Sequence, residues 1–402
     1  MGAILGAEYL KRMRELYARM GKRGRTRILN EFCEQCGVHR KHAIRVLGAL
    51  AAPPGRRGGR KVVYGPAEAE ALKALWLVMG QPCSRRMGPA LKLWLAPWEE
   101  ENGRLAPAVR RKLLAMSPAT MDRLLRPERI AQPGAGRRGI AKAAAALRAG
   151  IPIRTHFDDA DRPGYIEADG VAHCGGSMAG DFIWSLTFTD IWSGWTEQGA
   201  VWNRGAQGVL AVVRRVEAAL PFEMIAFDSD NGPEFLNHHL RRHLTERGRA
   251  IHVTRSRPYM SNDNAHVEQK QWTHARQLLG YGRLGDPALV EIVNSLLIHW
   301  GHLQNLFMPS LKLASKERQG AKVHRTYETA RTPCQRLLDS PHVTMKAKAK
   351  LKALRKSLNP LELNRQVEAG LALIRDAMRS HESPGGQPPD PRSLSLKGCP
   401  IQ

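Results

Sequence analysis

Three acidic residues, Asp169, Asp230 and Glu268, lie in sequence settings that could bring their carboxylates to one edge of a β-sheet. Asp169 closes one apolar stretch, Asp230 follows another, and Glu268 lies in a stretch with helical spacing. Carboxylates packed together repel one another, so such a cluster is tolerated mainly when cations lie between them. All-oxygen ligands favour Mg²⁺ or Mn²⁺, and two such ions ~4 Å apart could bridge a phosphodiester. The three residues therefore predict metal-dependent chemistry on a nucleic-acid backbone.

The segment 164–280 alternates strand-like and helix-like patterns in an order that would place these acids together. The first predicted strand ends at Asp169, the fourth runs into Asp230, and the last helix carries Glu268 near its start. This order predicts a mixed five-stranded sheet of the ribonuclease-H-like α/β class, with the first strand at the centre beside the fourth. The predicted strands are 164–169, 182–189, 196–202, 224–227 and 250–253, and the predicted helices are 206–220, 234–247 and 264–279.

The 402-residue chain carries a formal charge of +25 and has a sequence pI of about 10.4. A cationic excess of this size favours a polyanionic partner, and we expect double-stranded DNA, bound less tightly as salt rises. A ribosomal or membrane-surface protein would share the charge, but no apolar run approaches the ~20 residues of a membrane span. Since the six cysteines form no disulfide framework and no signal peptide is recognisable, the expected location is the bacterial cytoplasm, at the nucleoid.

Shifts in composition divide the chain into seven predicted segments. Apolar residues at helical spacing mark two all-α blocks before the α/β core, and Pro/Gly/Arg-rich stretches mark the linkers. The C-terminal tail is too poor in apolar residues to fold alone. The segments are a helix-turn-helix domain at 1–50, a basic linker at 51–63, a second helical, helix-turn-helix-like domain at 64–130, a basic linker at 131–163, the catalytic core at 164–280, a helical and basic DNA-contacting region at 281–381, and the tail at 382–402.

The first block predicts two helices, 26–35 and 40–47, joined at Gly37, which suits a turn with positive φ. The outward face of the second helix would meet phosphates or base edges in the manner of a recognition helix. An ordinary helical hairpin with a solvated basic face is the alternative. The predicted inward residues are Ile28, Leu29, Phe32, Ala43, Ile44 and Leu47, and the outward cations are Arg40, Lys41 and Arg45.

Four potential zinc ligands, Cys33, Cys36, His39 and His42, lie in the same block. Their spacing resembles that of a zinc site, but only a bent hairpin could bring all four side chains to one ion. We therefore favour the interpretation that the cysteines are small, buried residues of a helical hairpin.

Basic residues continue after the predicted core. Lys270, Lys312 and Lys316 are candidate DNA contacts, with a plain solvated surface as the alternative. The segment 345–356 predicts a basic helix that could hold flanking or target DNA. In the second helical block, Ser117 is a plausible helix N-cap and Pro118 a plausible first helical residue.

The acidic motifs resemble those of the integrase-core transposases of bacterial insertion sequences, relatives of the retroviral integrases in the Asp-Asp-Glu recombinase superfamily. The matching pieces are Glu167-Ala-Asp169, Ser229-Asp-Asn-Gly-Pro-Glu-Phe235 and Asn262-Asp-Asn-Ala-His-Val-Glu268. The resemblance covers about 160–280. It implies that Asp169, Asp230 and Glu268 are the catalytic residues and the ligands of two Mg²⁺ or Mn²⁺ ions. It also selects Asp230, which directly precedes Asn-Gly, over Asp228, and leaves Asp228 and Glu167 as neighbours.

The resemblance further implies a DNA transposase that binds the terminal inverted repeats of an element. Such an enzyme frees a 3′-hydroxyl by metal-dependent cleavage and joins it to target DNA. Because two element ends must meet, at least a homodimer is expected during the reaction. Two alternatives remain open, namely a ribonuclease-H-like nuclease and a non-catalytic DNA-binding regulator derived from a transposase. Metal-dependent cleavage of an element end separates the regulator from the enzymes.

Overall fold

The structure is a computed structural model that divides the chain into two compact units, Met1–Gly65 and Pro66–Gln402. The predicted ligands Asp230 and Glu268, and most of the predicted linkers and tail, lie outside the described residues. The described residues are 7–48, 63–131, 160–229, 232, 234–235, 237–255, 270–319 and 322–382.

Three helices form the described part of the first unit. Gly37 ends the second helix with φ +63°, the left-handed conformation that glycine adopts without a steric penalty. The predicted turn at Gly37 is therefore confirmed. The helices are α1 (Ala7–Arg19), α2 (Lys22–Cys36) and α3 (Arg40–Gly48), and their shared core consists of Met13, Leu29, Phe32, Ala43 and Leu47.

The prediction that Ile44 faces this core is wrong, because its side chain is 45% exposed. Ala43 and Leu47 are four residues apart and share the buried face of α3. Ile44 is rotated by about 100° from Ala43 around the helix, which turns it toward solvent. Val46 packs against the core from the other side of that face and is partly buried.

A block of four helices opens the second unit. Its predicted cap is confirmed, because the Ser117 hydroxyl accepts a hydrogen bond from the Thr120 amide at 3.3 Å and Pro118 is the first residue of the helix that follows. Trp94 is fully buried and donates its indole N–H to the Phe307 carbonyl at 3.1 Å, so the block packs on the C-terminal part of the same unit. The helices are α4 (Pro66–Val78), α5 (Ser84–Asn102), α6 (Pro107–Ala115) and α7 (Pro118–Ala131).

A five-stranded mixed sheet forms the centre of the second unit. The strand order is β3-β2-β1-β4-β5, in which β2 pairs antiparallel with β1 and β3, and β4 pairs parallel with β1 and β5. This order and these directions define the ribonuclease-H-like class, so the predicted fold class is confirmed. The strands are β1 (Tyr165–Ala172), β2 (Ile183–Asp190), β3 (Thr196–Trp202), β4 (Ala226–Ser229) and β5 (His252–Arg255).

The boundaries of β1 and β4 differ from the prediction for reasons of hydrogen bonding. β1 does not end at Asp169 but continues to Ala172, because it still pairs with β2 there. β4 begins at Ala226, two residues later than predicted. The amides of Ile225 and Ala226 both donate to the Gly164 carbonyl, at 2.8 and 3.1 Å, so the chain first bends onto the start of β1.

Two helices, α8 (Ala206–Ala219) and α9 (His238–Thr245), cover one face of the sheet. The predicted start of α9 at residue 234 is wrong, because Asn237 caps the helix by accepting a hydrogen bond from the Leu240 amide at 2.8 Å. The core on this face is made by Ile166, Ala168, Leu186, Phe188 and Phe227 of the sheet with Val209, Val213, Val216, Leu240 and Leu244 of the helices.

The opposite face of the sheet is covered by later helices. Helix Leu289–His302 packs on Ile183 and Ala200, and helix Pro360–Glu382 packs on that helix in turn. An antiparallel hairpin of β6 (Leu313–Gln319) and β7 (Lys322–Tyr327) lies between them in sequence. The hairpin was not predicted, because its strands are rich in charged residues and lack apolar alternation. The remaining elements are a π-helical turn at Leu303–Phe307 and helices Pro333–Asp339 and Met345–Ser357.

In the part of the chain that the structure describes, every helix is too short or too polar to cross a lipid bilayer.

Asp190, the last residue of β2, ties the start of β1 to the turn between β2 and β3. Its carboxylate accepts hydrogen bonds from the Gly164 amide at 2.8 Å and from the Ser193 amide and hydroxyl at 2.7 and 2.5 Å. Complete burial raises the pKa of Asp190 to about 6 despite these donors. The Asp190 carboxylate is thus a buried hydrogen-bond acceptor that holds the residue before β1 next to the turn between β2 and β3.

Leu47→Ala is expected to destabilise the first unit by ~2–4 kcal/mol, because it leaves a cavity in a small core. Ile44→Ala is the matched control and should cost less than about 1 kcal/mol, since the side chain is exposed. Hydrogen–deuterium exchange of α2 and α3 in the full chain measures both. Equal acceleration of exchange in the two variants would contradict the assigned orientation of α3.

Asp190→Ala is expected to lower the free energy of unfolding of the second unit by ~2–4 kcal/mol, because three buried donors lose their acceptor. Asp376→Ala, which removes an exposed acid from the last helix, is the control and should change it by less than about 0.5 kcal/mol. Urea unfolding followed by tryptophan fluorescence gives both values. A loss no larger than that of the control would refute the role given to Asp190.

Candidate active site

Three buried acids of the sheet lie on one face of β1 and β4. In the parallel register Glu167 pairs with Asp228, and Asp169 lies two residues beyond Glu167. Registered partners, and residues two apart on one strand, point to the same face. Glu167, Asp169 and Asp228 are 2%, 8% and 3% exposed. The sheet therefore buries three carboxyl groups on the same face.

Two of these acids accept hydrogen bonds from donors within the sheet. The Gly170 amide donates to Oδ1 of Asp169 at 2.7 Å. The Thr254 hydroxyl, on the registered position of β5, donates to Oδ1 of Asp228. Hydrogen bonds to a carboxylate favour its charged form. This hydrogen bond is compatible with the prediction that Asp228 is a neighbour of the metal ligands and not itself a ligand. That role stays a prediction.

Within the described residues, the parallel pairing of β1 with β4 runs up to the residue before Asp169. The last described pair joins Ala168 to Ser229, and β1 continues beside β2 as far as Ala172. Asp169 therefore directly follows the last described β1–β4 pair, and its registered partner on β2 is Thr187. The two other predicted ligands, Asp230 and Glu268, lie outside the described residues.

A layer of polar side chains surrounds Asp169 on the same face. Thr187 is the registered partner of Asp169 on β2, and the Gln198 amide of β3 donates to the Thr187 hydroxyl at 3.2 Å. The hydroxyls of Thr189 and Thr196 lie 3.2 Å apart. All four side chains are buried. The part of this face around Asp169 is consequently polar, whereas Ile183 and Ala200 on the same face lie in an apolar core.

The helix predicted at 264–279 is described from Lys270 onward and contacts this polar layer. A π-helical turn, Gln271–Arg276, begins it. The Gln271 amide donates to the Gly170 carbonyl at 3.4 Å, and the His274 carbonyl accepts from Gln198 at 3.5 Å. The described part of the helix thus passes over β1 one residue from Asp169.

Three cations that the sequence did not single out together lie around one short segment. Arg86 donates from Nε to the Pro309 carbonyl at 2.6 Å. Arg336 donates to the Ser310 carbonyl at 2.7 Å and to the Ser193 carbonyl at 3.1 Å. Burial, with the charges of Arg86 and Arg336, lowers the pKa of Lys270 to about 7. No sequence signal could have joined Arg86 to Pro309, because 223 residues separate them.

The predicted DNA contacts of the first unit lie on α3. Lys41 is exposed, Arg40 donates to the side chain of Asn30, and Arg45 lies 3.1 Å from Nδ1 of His42.

Two of the predicted contacts of the second unit, Lys270 and Lys312, are less available. Lys270 is half-buried, and Lys312 donates to the Trp192 carbonyl at 2.9 Å with its ammonium 5.6 Å from the centre of the Trp192 ring. Lys316 pairs with Arg325 in the hairpin register. Whether any of them contacts DNA stays a prediction.

Within the described residues, no group of three or more His, Cys, Asp or Glu side chains is arranged to hold a metal ion. Cys33 and Cys36 are partly buried residues packed against the core of the first unit, so they are more exposed than the favoured interpretation expected. The predicted magnesium ligands include two residues outside the described part of the chain.

The sheet places the second unit among proteins with a ribonuclease-H-like fold, a class that rests here on strand order and pairing. No family model matches the sequence. The chain is 39% identical over 332 residues to the uncharacterized protein y4rM of Sinorhizobium fredii (strain NBRC 101917 / NGR234), and the match covers 82% of this chain and 94% of that protein. This chain belongs to the same family as y4rM.

Two similar solved structures are viral. The catalytic core domain of BIV integrase is 18% identical, with 44% of this chain and 95% of that chain covered and a TM-score of 0.27. A simian T-cell lymphotropic virus intasome in complex with PP2A regulatory subunit B56 gamma is 14% identical, with 46% and 59% covered and a TM-score of 0.25.

His173, just beyond β1, is fully buried, and its Nε2 lies 2.8 Å from the Ser185 hydroxyl. Burial, followed by the charge of Arg276, lowers the pKa of His173 to about 3. A histidine whose pKa is lower in the folded than in the unfolded chain stabilises the fold above its unfolded pKa, near 6.5, and this stabilisation is lost as pH falls.

Between pH 7 and pH 5 the native protein is therefore expected to lose roughly 2 kcal/mol more of its unfolding free energy than His173→Gln does. His252→Gln removes an exposed histidine and should retain the full native loss. Urea unfolding at the two pH values measures the difference. Identical pH dependence in His173→Gln and the native protein would show that His173 is not held neutral.

Proposed function

We propose that this protein is a DNA transposase of the Asp-Asp-Glu type. It binds the terminal inverted repeats of a mobile element, cleaves their 3′ ends with divalent metal ions, and joins those ends to target DNA. Its partners are double-stranded DNA and at least one further copy of the chain, because two element ends take part. The ribonuclease-H-like sheet and the setting of Asp169 support this proposal.

The register of β1 with β4 next to Asp169 is the observation that carries the proposal. The last described parallel pair joins Ala168 to Ser229. If the register is continued by one residue, Asp169 would lie opposite the residue after Ser229, which is Asp230. Glu268 comes two residues before the described start of a helix that contacts β1 at Gly170. Three elements would then each contribute one acid to the same edge.

The donor set fits hard divalent cations. Asp169, Asp230 and Glu268 offer only carboxylate oxygens, which suit Mg²⁺ or Mn²⁺, and Asp169 is almost fully buried. When bound, two such ions would activate a water or 3′-hydroxyl and stabilise the leaving oxygen.

The protein itself would fix the positions of these acids. The Gly170 amide orients the carboxylate of Asp169, and Thr254 holds the neighbouring Asp228. The buried polar layer around Thr187 limits the access of bulk water.

The remaining parts of the chain would deliver DNA to this site. The charge of +25 favours polyanion binding throughout. The three-helix first unit would read the terminal repeats with Arg40, Lys41 and Arg45 of α3, in the manner of a helix-turn-helix. Lys270, Lys312 and Lys316 would contribute to the substrate path of the second unit. Variants of the first unit would therefore affect DNA recognition, and variants of the acids in the second unit would affect the chemical step.

Asp169→Asn, Asp230→Asn and Glu268→Gln are each expected to reduce strand transfer in Mg²⁺ by at least ~10³-fold, because each removes a charged ligand of the metal ions that would act on the phosphate. Their affinity for an element end should stay within about threefold of the native value. The assay uses a labelled duplex that carries the inverted repeat flanking the gene. Joining to a plasmid target and gel-shift binding are measured in parallel.

Asp181→Asn, a change to an exposed acid after β1, is the matched control and should retain native joining. Native activity in any of the three acid variants would overturn the assignment of that residue. Native protein that binds an element end but neither cuts nor joins it in Mg²⁺ or Mn²⁺ would overturn the enzymatic function as a whole.

A further inference from the structure

The helix Met345–Ser357, named here the lysine helix, is strongly basic. It contains six basic residues and no acidic residue in thirteen positions. Thr344 caps it by accepting a hydrogen bond from the Ala347 amide at 3.2 Å. A helix with so many like charges repels itself unless an anion compensates them. Its composition is therefore costly for stability alone.

One side of the lysine helix is fixed to the protein and the other faces solvent. Leu351 is the buried anchor, at 3% exposure, and Lys348 and Arg355 are half-buried near it. Lys346, Lys350, Lys352 and Lys356 are all exposed, with the small side chains of alanine between them. These four form two rows with a spacing of four residues, or ~6 Å along the helix axis. Each lysine of a row can thus reach a different phosphate.

The four exposed lysines make no ion pair with any described part of the chain, although such pairs are common on other surfaces of the protein. Arg242 pairs with Glu246, Arg249 with Glu223, and Arg379 with Asp376. The charge of those arginines is compensated locally. The charge of the lysine helix stays available to an external anion.

A groove of about 410 Å³ continues the basic surface from the C-terminal end of the lysine helix onto α5. Lys356 and Arg355 line it on one side and Lys92 on the other, and Glu100 is the single acid among its lining residues. The cationic surface therefore extends over two elements that lie more than 250 residues apart in the sequence, as Lys92 and Lys356 do.

We propose that the lysine helix and this groove bind the phosphate backbone of duplex DNA without reading its sequence. The choice of DNA as the polyanion rests on the proposed function. Lysine is a flexible point charge, whereas base recognition favours planar or amide side chains, and the exposed face carries only lysine, alanine, one serine and Met345. The surface would hold flanking or target DNA outside the acidic face of the sheet.

Other partners fit this surface less well. A bilayer surface requires an apolar face that can enter the lipid, but the apolar side of this helix is packed on the protein through Leu351. Protein interfaces are depleted of lysine and rich in aromatic anchors, which this face lacks. Duplex DNA requires only positive charge at regular spacing.

The test is the variant Lys346→Gln, Lys350→Gln, Lys352→Gln, Lys356→Gln in the full chain, since glutamine preserves helix propensity and length. Its control, Arg242→Gln, Arg249→Gln, Arg375→Gln, Arg379→Gln, removes the same charge from other exposed positions. Binding to a random-sequence duplex that lacks element ends is measured by fluorescence anisotropy, in EDTA and over a salt series. The same assay is run with vesicles of anionic lipid.

The lysine variant is expected to bind the random duplex at least ~10-fold more weakly than the native protein. The slope of log affinity against log salt should fall by ~2–4, as loss of that many phosphate contacts requires. The control should stay within about twofold. Equal weakening in both variants, or a loss confined to the vesicles, would overturn the proposal.

Metal-free binding keeps this result distinct from the proposed catalysis. Random-duplex binding that depends on the lysine helix would stand even if the native protein failed to cleave an element end. Conversely, a fully active transposase whose lysine variant binds the random duplex as tightly as the native protein would refute this inference alone.

Discussion

The parallel pairing of β1 with β4 is the constraint on which the second unit depends. It joins segments about 60 residues apart in the sequence, and its register puts Glu167, Asp169 and Asp228 on one face of the sheet. The start of the pairing is fixed by the Gly164 carbonyl, which accepts hydrogen bonds from the amides of Ile225 and Ala226. The last described pair, Ala168 with Ser229, directly precedes Asp169. A shift of one residue would turn each acid to the opposite, apolar face.

Burying several acids on one face is tolerable only because the surrounding layer is polar. Hydroxyl and amide groups from β2, β3 and β5 provide hydrogen bonds, and the helix above contributes the His274 carbonyl. Elsewhere on this face, Ile183 and Ala200 pack in an apolar core with Leu279. The opposite face carries the phenylalanine cluster under α8 and α9. The part of the face around Asp169 is therefore a polar site beside an apolar core. Sites with strained electrostatics are the usual place for function.

Local pattern predicted the strands and their order well, because apolar residues alternate with polar ones in stretches bounded by turns. β3 matches its predicted range, and Gly37 takes the turn that its lack of a side chain allows. The prediction that Ile44 faces the core was wrong because apolar spacing does not distinguish neighbouring positions around a helix. The hairpin β6–β7 was not predicted because its strands are held together by backbone pairing and have no apolar face that the sequence would show. The contact of Arg86 with Pro309 could not be predicted, since only the tertiary fold brings them together.

Net charge alone does not locate a binding surface, because much of it is already used within the protein. Arg86, Arg336 and Lys312 donate to backbone carbonyls and are partly or fully buried, so their charges stabilise the packing of the C-terminal segments. Pairing with acids compensates several exposed arginines in the same way. A phosphate backbone binds most readily the cations that are exposed and uncompensated. The lysine helix is therefore distinguished from the other described basic residues by two properties of its lysines. They are exposed, and they make no ion pair with a described acid.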